Sequence, residues 1–172
     1  MPLILEKGNP ILRLQAEPVD ASEFGTPELK QLVQDMFNIM EEQGAVGVAA
    51  PQIGISKQVI VFGTAYSRRP NLEVNIPNAA LINPTLTILS EEQESGYEGC
   101  LNSGELRGPV PRATAVEYSG FDVEGNPVTK HATGFEARVV QHEIDHLKGI
   151  LFFDRITDKA ELTTSTELQQ RP

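Results

Sequence analysis

From Thr133 to Gly149 the chain reads Thr-Gly-Phe-Glu-Ala-Arg-Val-Val-Gln-His-Glu-Ile-Asp-His-Leu-Lys-Gly. Thr133 and Glu136 have capping-box spacing and Gly149 supplies an exit, so a helix is predicted over 134–148. Phe135, Val139, Val140, Ile144 and Leu147 make that helix largely apolar. Buried among them, His142 and His146 need polar partners, because an unpaired polar group is costly away from water. Four residues is slightly more than one helical turn, so both imidazoles leave one face and can meet at one metal ion. Glu143 stands about 100° round the helix axis, where it can reach a metal-bound water without ligating. A polar helix with two incidental histidines is the plainer reading, and the apolar surroundings weigh against it.

A catalytic site of this kind usually has three protein ligands and one open position. The chain has three His and one Cys. His131, the third histidine, falls in a predicted hairpin and reads as exposed. Cys100 is the better third ligand: it lies in Glu98-Gly99-Cys100-Leu101-Asn102, where Gly99 permits a sharp backbone path. A lone Cys is by frequency more often an inert core residue, and it loses that reading only because two helical histidines need a partner. Gln52 follows the small-residue run Ala45-Val46-Gly47-Val48-Ala49-Ala50. Its amide can donate to a developing oxyanion; the segment can equally be only a turn before a strand. Glu98 and Arg112 are either a buried ion pair bracketing the Cys segment or unrelated surface charges.

Elsewhere, a helix is predicted over roughly 27–42, capped by Thr26 with Pro27 at its first position and Gly44 at its exit. Leu29, Leu32, Val33, Met36, Phe37 and Met40 form its core stripe. Residues 57–62 read as a buried strand, 64–78 as a surface loop, and 79–89 as a strand interrupted at Pro84. Residues 114–121 and 127–132 read as a hairpin through Glu124-Gly125-Asn126, and 150–153 as a short closing strand. The order favours an α+β fold, with short mixed or antiparallel sheets packed around a central metal-binding helix. The length suits one catalytic domain over 1–162, followed by a polar, frayed tail over 163–172.

Composition narrows the function. One Cys excludes an internal disulfide. A net charge of −10 makes general binding to nucleic acid unexpected. No apolar run approaches a membrane span, and the opening Met-Pro-Leu-Ile-Leu-Glu-Lys lacks the plan of a signal peptide, so a cytoplasmic protein is expected.

Three segments together, Ala45–Gln52, Glu98–Asn102 and Gln141–Leu147, resemble in order and spacing the motifs of the peptide deformylase family. The likeness extends to Asn9-Pro10-Ile11-Leu12-Arg13, Leu106-Arg107-Gly108 and Val110-Pro111-Arg112, and covers roughly residues 3–157. It implies a deformylase-like fold and a hydrolase of protein biosynthesis. Such an enzyme removes the formyl group from N-terminal formylmethionine of nascent polypeptides and so contacts nascent chains transiently. It implies that Cys100, His142 and His146 hold one divalent metal, Fe(II) in the cell, with Zn, Ni or Co able to occupy a purified sample. Glu143 matches the general acid/base, and Gln52 and the Leu101 N–H match the oxyanion donors. Gly47 corresponds to a substrate-backbone contact, Arg107 to the outer cleft, and Val46, Phe135 and Val139 to the methionine pocket; Gly99 joins the substrate-binding set. Three positions depart from the pattern: Ala45 replaces a Gly, Asn102 a Ser, and Arg138 an apolar pocket residue of some members. The extended C-terminal helix of some members is missing. Residues 151–172 carry one net negative charge, so no tail-mediated ribosome docking is expected. Two rival readings are an HExxH metallopeptidase that cleaves internal peptide bonds and a binding module without turnover. An intact Glu143 and Gln52 argue against the second.

Overall fold

A computed structural model describes residues 2–171. Its elements are α1 (Pro27–Gln43), β1 (Gly47–Ala49), β2 (Val59–Phe62), β3 (Ala79–Ile88), β4 (Gln93–Glu98), β5 (Leu106–Ala113), β6 (Ala115–Phe121), β7 (Pro127–Thr133), α2 (Gly134–Leu147), β8 (Thr163–Thr164) and α3 (Ser165–Gln169). Two sheets of antiparallel pairs result, ordered β1-β2-β3-β6-β7 and β4-β5-β8. The expected α+β class is found.

The larger sheet is covered on both faces, which explains why β2 is a continuous apolar run. Ile60 and Phe62 point into a core shared with Val140, Ile144 and Leu147 of α2. Val59 and Val61 point the other way, toward Val33, Met36, Ile39 and Met40 of α1. The alternation is the two-residue period of a strand, read by a helix on each side. Burying each such side chain stabilises the fold by about 1.5–3 kcal/mol. α1 starts and stops as its sequence says: the Thr26 hydroxyl accepts from Leu29 N–H, and Gly44 closes the helix in the left-handed region at φ 61°. Pro84 does interrupt β3, where the pairing with β6 slips between Ile82 and Thr85.

Four expectations need correction. Thr133 forms no side-chain cap on α2. Glu136 is drawn away instead by the Tyr118 hydroxyl at 3.2 Å and Lys130 Nζ at 2.6 Å, partners that local spacing does not reveal. Residues 150–153 do not make a closing strand; Phe152–Asp154 is a tight helical turn, because the Asp154 carboxylate accepts the Leu151 N–H at 2.9 Å. The tail is not frayed over residues 163–171, and residue 172 lies outside the described residues. Thr163 and Thr164 pair with Arg107 and Leu106, the Thr164 hydroxyl caps α3, and Arg171 donates to the Tyr97 hydroxyl at 2.8 Å. Finally, β4 and β5 lie where no strand was expected, since Gly108, Pro109 and Pro111 are poor strand residues. The two prolines lie two residues apart, so their missing donors fall on one edge of β5. On that same edge the backbone groups of Ala113 bond the Gln141 amide rather than a strand, so the ladder to β4 survives.

Candidate metal centre and catalytic cleft

α2 passes between the two sheets, and ten of its 14 residues are buried. His142 and His146 face each other with their Nε2 atoms 3.3 Å apart. Two nitrogens each about 2.0–2.1 Å from a tetrahedral ion stand about 3.4 Å apart, so the spacing is that of two ligands already in place. Their titrations diverge. Burial pulls His142 down, but its hydrogen bond to Glu98 and the Glu143 charge outweigh this and raise it. Burial and the neighbouring His142 charge hold His146 well below its ordinary value. His146 Nδ1 is buried without a partner.

The orientation of His142 comes from the Cys segment. Its Nδ1 lies 2.8 Å from Glu98 Oε1, which directs Nε2 inward. Glu98 and Arg112 are a buried pair after all: Arg112 donates from Nη2 and Nε at 2.8 and 3.0 Å, and Arg138 adds a bond at 2.6 Å. Burial pushes the Glu98 carboxyl up, but the bonds from His142 and Arg112 prevail and hold it well below the usual carboxylate range. Arg112 continues to Asp145 at 2.6 Å, and Arg155 closes on Asp145 at 2.5 and 2.7 Å. Asp145 and Arg155 were not singled out from sequence, although Asp145 lies inside the His-Glu-Ile-Asp-His motif.

Glu143 is 4% exposed, and its Oε2 has no partner. Burial pushes its carboxyl up to about 7. Gly47 makes room for it: a Cβ there would stand 2.5 Å from Glu143 Oε1. Gln52 sits in a buried turn, its Oε1 accepting from Ala49 N–H at 2.8 Å and its Nε2 donating to Asn102 Oδ1 at 2.7 Å. One amide hydrogen remains for another acceptor. Asn102 in turn donates to Gln52 O at 3.3 Å and to Leu5 O. The departure from Ser thus holds the Gln52 amide, a role its sequence position did not suggest. Leu101 opens a tight helical turn, where its N–H has no intrahelical acceptor.

Cys100 is half-buried, with Sγ 3.1 Å from Ser103 Oγ. Burial pushes its thiol up, and the Glu143 charge adds to this. Among the described residues, no three His, Cys, Asp or Glu side chains converge as a preformed cage. The structure joins the two histidines and does not bring Cys100 into a group of three with them. The donor set still suits a divalent ion: two inward imidazoles at ligand spacing, an orphaned carboxylate oxygen beside them, and a thiol within reach of the charge of Glu143.

Val46, Phe135 and Val139 share one apolar cluster, as a pocket wall requires. A cavity of about 180 Å³ lies beside it, lined by Glu94, Gly96, Arg112, Phe135 and Arg138 among others. Gly99 and Arg107 are neighbours: a Cβ on Gly99 would overlap the Arg107 side chain. His131 stays outside the site, exposed and 2.7 Å from Glu117. Among the described residues β1 is an edge strand, paired only with β2, so its outer edge can receive an extended peptide. No helix among the described residues is long and apolar enough to cross a membrane.

The model of the family described as polypeptide deformylase matches residues 1–161. Peptide deformylase 1 of Nitrosomonas europaea is 49% identical over 156 residues, which span 90% of this chain and 87% of that protein. Peptide deformylase 2 of Pseudomonas syringae pv. tomato is 48% identical over 155 residues, at 90% and 87% coverage. Among solved structures, the Met-Ala-Ser-bound class I type b peptide deformylase of Acinetobacter baumannii superposes with a TM-score of 0.83 at 39% identity, covering 91% of this chain and 100% of that one. Matched along most of its length in sequence and in fold, the chain belongs to the polypeptide deformylase family.

Proposed function

We propose that this chain removes the formyl group from the N-terminal formylmethionine of nascent polypeptides in the cytoplasm, releasing formate and a free amine, with residues 1–162 as the catalytic unit. The observation that carries this reading is one turn of α2: two Nε2 atoms at ligand spacing, with the unpartnered Glu143 carboxylate beside Gly47. The Met-Ala-Ser peptide bound to the Acinetobacter relative fits a substrate of this kind.

One divalent ion, Fe(II) in the cell, would be held by Cys100, His142 and His146 and would supply an acidified water and a polarised carbonyl. The remaining steps belong to the chain. β1 aligns the peptide along its free edge, and the wall of Val46, Phe135 and Val139 takes the methionine side chain. Glu143 accepts a proton from the attacking water as the C–O bond to the formyl carbon forms. The free hydrogen of Gln52 Nε2 and the Leu101 N–H stabilise the oxyanion; losing one such donor elsewhere costs about 3–4 kcal/mol. As the C–N bond breaks, Glu143 returns its proton to the leaving amine.

An anaerobic formate-release assay on formyl-Met-Ala-Ser, with metal measured on the same sample, tests the reading. Glu143→Gln is expected to retain metal and lose about 10³-fold in kcat. Cleavage of an internal peptide bond without formate, or full turnover by Glu143→Gln, would overturn it.

A further inference from the structure

The geometry points to Ser103 as a positioning residue of the metal site: its hydroxyl donates to the Cys100 sulfur once that sulfur is a thiolate ligand, draws electron density from it, and so slows the loss of the iron form to dioxygen. The inference rests on the reading that Cys100 holds the ion.

The placement follows from a short turn. Cys100 is the N-cap of the tight helical turn Leu101–Ser103, which the Ser103 N–H closes on Cys100 O at 3.1 Å. N-cap and N3 are the positions whose side chains reach across to each other's ends in a capping box, and here the N3 side chain meets a sulfur. Ser103 Oγ lies 3.1 Å from Cys100 Sγ. The middle of the turn is pinned. Asn102 is buried, its side chain bonds Gln52 and Leu5, and its carbonyl accepts from Lys7 N–H at 2.8 Å. The hydroxyl is therefore held at the sulfur by a fixed backbone and a side chain with one carbon to its oxygen.

The other surroundings of the sulfur are apolar. Cys100 packs against Val110, Phe152 and Ile156, with Leu106 and Leu162 in the same cluster. Among the described residues, Ser103 is the one side chain that hydrogen-bonds Cys100 Sγ, and that sulfur is the one partner of the Ser103 hydroxyl. In the free thiol either atom can donate. A thiolate carries no hydrogen, so with a cation bound the direction is fixed: the hydroxyl donates, the sulfur accepts, and the bond becomes charge-assisted. Sulfur that shares density with a hydroxyl gives less of it to the ion, which is how partners of a ligand tune the metal it holds. Hydrogen bonds at a ligating sulfur set redox potentials in this way. In air, Fe(II) passes one electron to dioxygen, leaving Fe(III) and superoxide, and no bond of the chain breaks. A sulfur poorer in density stabilises Fe(III) less, so the Ser103 bond holds that step back.

The test compares wild type with Ser103→Ala, Ser103→Thr and Ser103→Val, metal content being measured on each. Thr and Val have the same shape and differ in the hydroxyl, so a packing effect moves both and the hydrogen bond separates them. In the cobalt(II) forms, the sulfur-to-metal charge-transfer band of Ser103→Thr should match the wild type, and that of Ser103→Ala and Ser103→Val should move to longer wavelength. In the iron forms, the half-life in air should fall about five-fold in Ser103→Val relative to Ser103→Thr. A band at one wavelength in all four proteins, equal shifts in Ser103→Thr and Ser103→Val, or equal half-lives of those two iron forms would overturn the inference. Any of these, with formate still released anaerobically by the wild type, sinks this inference and spares the deformylase reading. A wild-type cobalt form with no such band sinks the inference together with Cys100 as a ligand.

Discussion

The two halves of the site are built in different ways. The α2 half is periodic: His142 and His146 meet because a helix repeats, Glu98, Arg112 and Asp145 brace that turn with buried charge, and Arg155 clamps Asp145 from the surface. The loop half is assembled by contact. Gln52 comes from one turn and Cys100 and Leu101 from another, and short polar links hold the two together, chiefly Asn102 to Gln52 and Leu5. The helix therefore gives ligand spacing even without metal, whereas the loop half depends on distant partners agreeing.

Breaking the brace of the helical half should have the largest effect. Glu98→Ala leaves Arg112 with Asp145 as its only carboxylate partner and strips Arg138 and His142 Nδ1 of theirs, so a loss of about 3–5 kcal/mol is expected in denaturant unfolding, with metal retention falling in step. Breaking the loop half is milder and more selective. Asn102→Ala should cost about 1–3 kcal/mol through the unsatisfied Gln52 amide. It should lower kcat with metal content unchanged; equal loss of metal would show that the halves are not separable. Acid distinguishes them again. The folded Glu98 carboxyl lies below its ordinary value, so its contribution is complete above about pH 4.3 and is lost as pH falls toward the folded value. Metal-free wild type should lose stability along this limb, and Glu98→Gln should flatten it, whereas Asn102→Ala should leave the slope intact. The smallest effect serves as a control: Thr26→Ala, at the start of α1 away from both halves, should cost about 1 kcal/mol and leave kcat unchanged.

The same contrast explains what could be read from the chain. α1, the interrupted β3 and the 115–133 hairpin carry local signals, in caps, periodicity and turn residues, and they stand where those signals place them. The His142–His146 turn was legible for the same reason. β4 and β5 were not, because their stability lies in register with each other and in the Gln141 amide rather than in strand-forming residues. The docked chain end was missed likewise, since Thr163 and Thr164 become a strand only against Leu106 and Arg107. Within the site, the service of Asn102 to Gln52 spans fifty positions and the clamp of Arg155 on Asp145 spans ten, at spacings with no local signature.

The account stands on one ion shared by the two halves, and the link between them is the Cys100 sulfur. Cobalt(II) added anaerobically to metal-free protein reports that bond directly, because a thiolate ligand adds a sulfur-to-metal charge-transfer band to the ligand-field spectrum. The band is expected in the wild type and should vanish in Cys100→Ser while weaker imidazole-bound cobalt remains. A wild-type spectrum without the band, or one identical in Cys100→Ser, would contradict the shared ion.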